Sequence, residues 1–118
     1  MLNLKEWRMF IAIPLETNTH PGEVFAHPEL FHVIDVDWDT AEKIGKSSFS
    51  SDAMDTTDEY PIEPGEDPSF TANQVDALLK SLEKWRSCLH EEEKHSFKIV
   101  ESALQEAKER NVGIYFKF

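Results

Sequence analysis

The sequence predicts an α+β fold, with a small, mainly antiparallel sheet of about three to five strands covered on one face by two C-terminal amphipathic helices. Short stretches rich in branched and aromatic residues lie near the N-terminus and at the C-terminal end. Between them, two long stretches place apolar residues at helical spacing. Because the helices are separated along the chain from most strands, a layered α+β arrangement is favoured over alternating strand and helix units.

The first two predicted elements are strands. Residues 7–13 read W-R-M-F-I-A-I and stop at Pro14, a composition typical of a strand. Residues 30–38 alternate with period two, which also indicates a strand. One face carries Leu30, His32, Ile34, Val36 and Trp38, and the other carries Phe31, Val33, Asp35 and Asp37. We expect Asp35 and Asp37 to face water, and His32 and Trp38 to be buried.

A short helix follows, with Asp39 as the expected N-cap, Glu42 completing a capping pair and Gly45 as the C-terminal stop. Residues 47–70 then form a predicted long acidic surface loop, because prolines and serines interrupt any regular pattern. Loops of this length are uncommon in compact domains unless they are functional or disordered. Phe49 and Phe70 bracket the loop, and we expect them to anchor it to the core.

The C-terminal part of the chain predicts two helices and a strand. Thr71 and Gln74 have the form of a capping box at the start of the first helix. Its apolar stripe is Val75, Leu78, Leu79, Leu82, Trp85 and Leu89, and the second helix, residues 92–110, carries Phe97, Val100, Ala103, Leu104 and Ala107. The stripe lapses near residues 88–91, which predicts a break there, although one continuous helix is the alternative. Residues 114–118 alternate as a strand that we expect inside the sheet.

Length and composition predict one domain spanning residues 1–118. No run approaches the length of a membrane span, and the N-terminal residues lack the pattern of a signal peptide. The single cysteine, Cys88, cannot form an internal disulfide and is expected to be a small buried residue. These features predict a cytoplasmic, reducing location.

The negative charge is concentrated in one part of the chain. Between Lys46 and Lys80 there are eight carboxylates and no Lys or Arg, so this stretch holds −8 of the net charge of −11. Such a field attracts cationic surfaces and repels nucleic acid and anionic membranes. We therefore predict a basic protein partner and no direct binding of nucleic acid or membrane.

No pattern in the sequence predicts catalysis, a cofactor or a metal centre. An EF-hand loop beginning at Asp35 would need Gly at position 40 and Glu at position 46, where the chain has Thr40 and Lys46. The five histidines show no zinc spacing, no serine lies in a nucleophile motif, and the four glycines form no phosphate-binding loop. The chain is therefore predicted not to be an enzyme.

The interpretation that follows is an acidic protein-binding module. Its predicted partner-binding residues are Asp52, Asp55, Asp58, Glu59, Tyr60, Glu63, Glu66 and Asp67, which place clustered carboxylates beside an aromatic side chain. In size and charge alone the chain resembles bacterial immunity and antitoxin proteins, which implies an inhibitor whose basic partner is a toxin or an enzyme acting on nucleic acid. The alternatives are a divalent-cation site formed by the same carboxylates with Asp35 or Asp37, and a structural domain whose acidity only maintains solubility.

Overall fold

Four strands form one antiparallel sheet in the computed structural model, which describes residues 8–17, 19–47, 49–50, 52, 69–89 and 91–117. The strands are β1 (Arg8–Pro14), β2 (Phe31–Asp37), β3 (Ser69–Phe70) and β4 (Ile114–Lys117), in the spatial order β2-β1-β4-β3. The C-terminal strand β4 therefore lies inside the sheet, between β1 and β3. The predicted α+β class and the placement of the last strand are both confirmed.

Three of the described α-helices pack on one face of this sheet: α1 (Trp38–Gly45), α2 (Ala72–Trp85) and α3 (Glu91–Arg110). The core lies between them and the sheet, where the predicted α3 stripe meets inward-facing strand residues. The buried α3 stripe consists of Phe97, Val100, Ala103, Leu104 and Ala107. A short 3-10 helix, Arg86–Cys88, separates α2 from α3, so the predicted break is confirmed and a single continuous helix is excluded.

The capping box at the start of α2 is confirmed. Thr71 accepts a hydrogen bond from the Gln74 backbone N–H at 3.4 Å, and the Gln74 side chain accepts one from the Thr71 N–H at 2.8 Å. Two N–H groups that the helix itself leaves without partners are thereby satisfied. In the part of the chain that the structure describes, no helix is long and apolar enough to cross a membrane.

The other face of the sheet carries a second, smaller apolar cluster. Two 3-10 helices, Pro21–Val24 and Pro28–Leu30, bring Val24 against Ala12 and Phe31. The ring of Phe25 packs edge-on against Phe10 at 6.0 Å between ring centroids, and its own side chain is 62% exposed. The sequence pattern predicted no element at residues 21–28, so it missed this partial cover.

The predicted N-cap of α1 is wrong by two residues. Asp37, not Asp39, caps the helix, because the Thr40 backbone N–H donates to Asp37 Oδ1 at 2.8 Å. Asp37 keeps the extended backbone of the strand, whereas Trp38 is already helical and half-buried. A cap must be the last extended residue before the helix. Asp39 instead forms an ion pair with Lys43 at 3.2 Å.

Two further burial predictions are wrong. His32 is exposed rather than part of the core, and its Nδ1 lies 2.8 Å from both carboxylate oxygens of Glu106 on α3. His32 lies near the start of β2, at an edge of the described sheet, where its side chain contacts Glu106 and is still 47% exposed. Cys88 is also exposed, because it lies in the 3-10 turn, where the helical stripe no longer faces the core.

Candidate interaction surface at the anchors of the acidic segment

The acidic segment, residues 47–70, is described by the structure only at its two ends. Of the predicted partner-binding residues, Asp52 is the one within the described part of the chain. The others lie outside the described residues: Asp55, Asp58, Glu59, Tyr60, Glu63, Glu66 and Asp67. The described residues therefore show how the two ends of the segment are attached to the rest of the fold.

The N-terminal anchor of the segment begins where α1 ends. The Ser47 hydroxyl donates to the Ile44 carbonyl at 2.6 Å and accepts from the Ser50 backbone N–H at 3.3 Å. Phe49 is completely buried, and its ring packs edge-on against Phe97 of α3 with centroids 5.8 Å apart. An aromatic contact in the core fixes this end of the segment, as its sequence predicted.

Asp52 connects the same anchor to α2. The Ser81 hydroxyl donates to Asp52 Oδ2 at 2.6 Å, and Lys84 Nζ lies 3.7 Å from Asp52 Oδ1. The Ser81 hydrogen bond lowers the pKa of Asp52 below its usual value, although partial burial opposes this effect. The Trp85 indole and Lys84 lower the pKa further, although the indole N–H completes no hydrogen bond with any described residue. Asp52 is thus held by the fold.

The C-terminal anchor is strand β3. Phe70 is buried and its ring packs edge-on against Phe116 with centroids 6.0 Å apart. The backbone of β3 pairs with β4, with Phe70 opposite Ile114. A Cβ atom at Gly113 would overlap the carbonyl oxygen of Phe70, so a glycine is needed for this close approach. Both ends of the acidic segment are consequently fixed to the core.

Two carboxylates of the described helices have cationic partners that lower their pKa. Asp76, the eighth carboxylate between Lys46 and Lys80, lies 2.9 Å from Lys108 Nζ, and that contact lowers the pKa of Asp76. Glu91 pairs in the same way with Lys94, which lowers the pKa of Glu91. The charges of Asp76 and Glu91 are therefore balanced locally by lysines of α3.

A cleft of about 590 Å³ lies where α2 ends and α3 begins. Leu82, Leu89 and Phe97 contribute apolar surface, while Arg86 at its rim forms ion pairs with Glu83 and Glu101. Its volume is within the range of small-ligand pockets. Lys94 and Lys98 also line the cleft, so side chains of both charges surround it.

Within the described ranges, no three His, Cys, Asp or Glu side chains approach closely enough to hold a metal ion. Asp37 uses its carboxylate as a helix cap, and Asp35 is exposed on strand β2. Of the residues in the cation-site hypothesis, Asp35, Asp37 and Asp52 are described by the structure. They do not form a common metal site.

Ser81 is a residue of this surface that the sequence analysis missed. It lies between Leu78, Leu82 and Trp85 on the buried face of α2, and it is itself buried. A serine within an apolar helical stripe needs a hydrogen-bond partner, because burying an unpaired hydroxyl is unfavourable. That signal was present in the sequence, whereas the identity of the partner, Asp52, was not.

Comparison of the chain with models of known protein families, with curated proteins and with solved structures gives no significant match.

Proposed function

We propose that this chain is a non-catalytic, acidic protein-binding module of the immunity or antitoxin kind, which docks its acidic segment on a basic partner such as a toxin or an enzyme acting on nucleic acid. The observation that supports this most directly is the charge distribution, with eight carboxylates and no Lys or Arg between Lys46 and Lys80. A localised field of one sign accelerates encounter with an oppositely charged surface and disfavours other partners.

The anchors described above strengthen this proposal. Ordering a free chain on binding reduces affinity, because the conformational entropy of each fixed residue is lost at that moment. Here Phe49 and Phe70 are buried, and Asp52 is bonded to α2, before any partner arrives. The anchors themselves therefore lose little further entropy on binding. We also propose a cytoplasmic location, since the single cysteine is exposed and unpaired, as a reducing compartment permits.

The cation-site alternative receives no comparable support. Asp37 is occupied as the α1 cap, and Asp52 is hydrogen-bonded to Ser81. A hydrogen-bonded, partly buried carboxylate is a less available metal ligand than a free one, because binding would first remove its existing partner.

The test is a matched pair of charge-reversal variants. The first carries Asp55→Lys, Asp58→Lys and Glu59→Lys, and the control carries Glu16→Lys, Glu23→Lys and Glu109→Lys at exposed positions elsewhere. Both sets change the net charge from −11 to −5. A tagged wild-type chain is first used to capture its partner from the source organism, at low and at moderate salt, with identification by mass spectrometry.

The proposal predicts a stoichiometric basic partner that dissociates as salt rises, because exposed charge contacts are screened. It further predicts that the first variant binds this partner at least about tenfold more weakly, while the control loses only a small part of the affinity. Equal effects of the two variants would show that net charge alone matters, and unchanged affinity in the first would refute the proposal.

A further inference from the structure

Strand β2 forms an open edge of the sheet. Among the strands that the structure describes, its only neighbour is β1, and the two pair antiparallel with Pro14 opposite Phe31 and Ile11 opposite Ile34. The same register places Leu15 opposite Leu30, and the Leu15 backbone N–H donates to the Leu30 carbonyl at 2.9 Å. Hydrogen-bonded and non-hydrogen-bonded pairs alternate along an antiparallel ladder. The backbone groups of His32, Ile34 and Val36 must therefore point toward β1.

The backbone groups of Val33 and Asp35 consequently point outward from the sheet. The position of Pro14 agrees with this alternation of pairs, because Pro14 lies in a non-hydrogen-bonded pair, where its missing N–H is not needed. Among the described residues, no hydrogen-bond partner is found for the N–H or C=O of Val33 or Asp35. The Val33 side chain is also 40% exposed. The outward N–H and C=O groups of β2 can therefore pair with another extended chain.

A shallow cleft of about 320 Å³ borders this strand on the helix side. Ile34 of β2 and Ile99 of α3 supply its apolar surface, and His95, Lys98 and Ser102 of α3 also line it. Nearby, His32 is bonded to Glu106, so α3 runs beside the strand along this length. A strand added about 4.8 Å from β2 would direct alternate side chains toward this cleft.

The opposite face of the same strand is acidic. Asp35 and Asp37 are exposed there and lie two residues apart, on the side away from α3. The net charge of −11 also disfavours a second copy of this chain at the edge, because two such copies repel each other. Charge complementarity therefore selects a basic partner segment.

We propose that β2 is a docking edge for an extended segment of the partner, which adds to the sheet as a fifth strand, places an apolar side chain in the cleft between Ile34 and Ile99, and presents Lys or Arg to Asp35. In this mode of recognition the main-chain hydrogen bonds supply affinity and the side-chain pockets supply specificity. The inference rests on the proposed function of the chain as a protein-binding module, but it uses a surface made entirely of described residues.

The test uses a mixture of acetylated and amidated octapeptides in which Val, Ile, Leu or Phe alternates with Lys. Titration of the isotope-labelled full chain, followed by amide NMR, is expected to shift the Val33 and Asp35 resonances most and to slow exchange of both amide hydrogens. A mixture with the same composition but without alternation is the control, and it should not shift them. No binding at about 1 mM peptide, or shifts on another surface, would overturn the inference.

The matched variants are Val33→Pro and Val33→Thr. Proline removes the outward N–H and is tolerated on an edge strand, whereas threonine keeps the N–H and the branched shape. We expect Val33→Pro to weaken peptide binding about tenfold or more, and Val33→Thr to change it less than about twofold. Equal binding by the two variants would overturn the inference. Dimerisation of the wild-type chain that Val33→Pro abolishes would identify a second copy as the occupant instead, which also overturns it.

A second measurement does not depend on whether Val33→Pro folds. Two versions of the tightest-binding peptide carry N-methyl groups on alternate backbone nitrogens. One version is methylated at the odd positions and the other at the even positions. Only one edge of the peptide can pair with β2, so one version should lose about tenfold in affinity and the other should bind like the parent. Equal behaviour of the two versions would contradict strand addition.

The two proposals fail separately in these assays. Reversal of Asp55, Asp58 and Glu59 should leave peptide binding at β2 nearly unchanged, and it tests the acidic segment alone. If the captured partner binds the Val33→Pro variant normally but not the charge-reversal variant, the proposal of a docking edge is wrong and the proposed function stands. If the partner binds the charge-reversal variant normally but not the Val33→Pro variant, the docking-edge proposal stands and the proposed role of the acidic segment is wrong.

Discussion

Replacing Ser81 with alanine tests whether Asp52 fastens the acidic segment to α2. The Ser81 hydroxyl is buried and donates to Asp52 Oδ2 at 2.6 Å, and the Asp52 side chain is only 19% exposed. Hydrogen bonds to charged groups contribute about 1.5–3 kcal/mol. Water can partly replace the lost donor at this partly exposed carboxylate, so we expect Ser81→Ala to lower the free energy of unfolding by about 1.5 kcal/mol.

Lys84 provides the comparison. Its side chain is 64% exposed and its Nζ lies 3.7 Å from Asp52 Oδ1, so the attraction is screened by solvent. Lys84→Ala should therefore lower the free energy of unfolding by less than about 0.5 kcal/mol. A double-mutant cycle of Ser81→Ala with Asp52→Ala, measured by urea unfolding with tryptophan fluorescence, should give a coupling energy of about 1 kcal/mol.

The pH dependence gives an independent signature of the same bond. Since the pKa of Asp52 is lowered in the fold, its stabilising contribution is complete above the ordinary value of 3.8 and is lost as the pH falls through the folded pKa. The difference between the wild type and Ser81→Ala should thus be largest at neutral pH and shrink in acid. A Ser81→Ala protein as stable as the wild type, with no coupling to Asp52, would refute the reasoning.

Two further predictions concern the helix cap and the close contact at Gly113. Asp37→Ala should destabilise the protein by about 1 kcal/mol through loss of the α1 cap, while Asp39→Ala should change stability by less than about 0.5 kcal/mol. Urea unfolding of the two variants distinguishes them, and the reverse order would mean that Asp39 is the cap. Gly113→Ala should destabilise by about 2 kcal/mol or more, because its Cβ overlaps the Phe70 carbonyl. Unchanged amide exchange protection in β4 would contradict that expectation.

Features set by interactions within a few residues could be predicted from the sequence. The Thr71 and Gln74 capping box and the buried stripe of α3 both depend on the geometry of one helix, so residue spacing was sufficient. The α1 cap could not be settled in this way, since Asp37 and Asp39 both precede helical residues. The last extended residue of β2 decides which aspartate is the cap, and that depends on where the strand leaves β1.

The same distinction between local and long-range features applies to the candidate surface. Its charge is a property of composition, so the sequence already revealed it, and the burial of Phe49 and Phe70 followed from their apolar character at the ends of a polar segment. The Ser81 partner of Asp52 could not be predicted, because the two residues are 29 positions apart. Alternation assigned His32 to a face of β2, but whether a helix covers that face depends on the position of the strand in the sheet.

By itself, the sequence determined the α+β class, the presence of the two C-terminal helices, the break between them and the concentration of negative charge before Lys80. Only the tertiary structure decided the strand order, the open edge at Val33 and Asp35, and the attachment of Asp52 to α2. The physical reason is that periodicity and capping act over one or two helical turns, whereas strand neighbours and buried partners are chosen by contacts between distant parts of the chain.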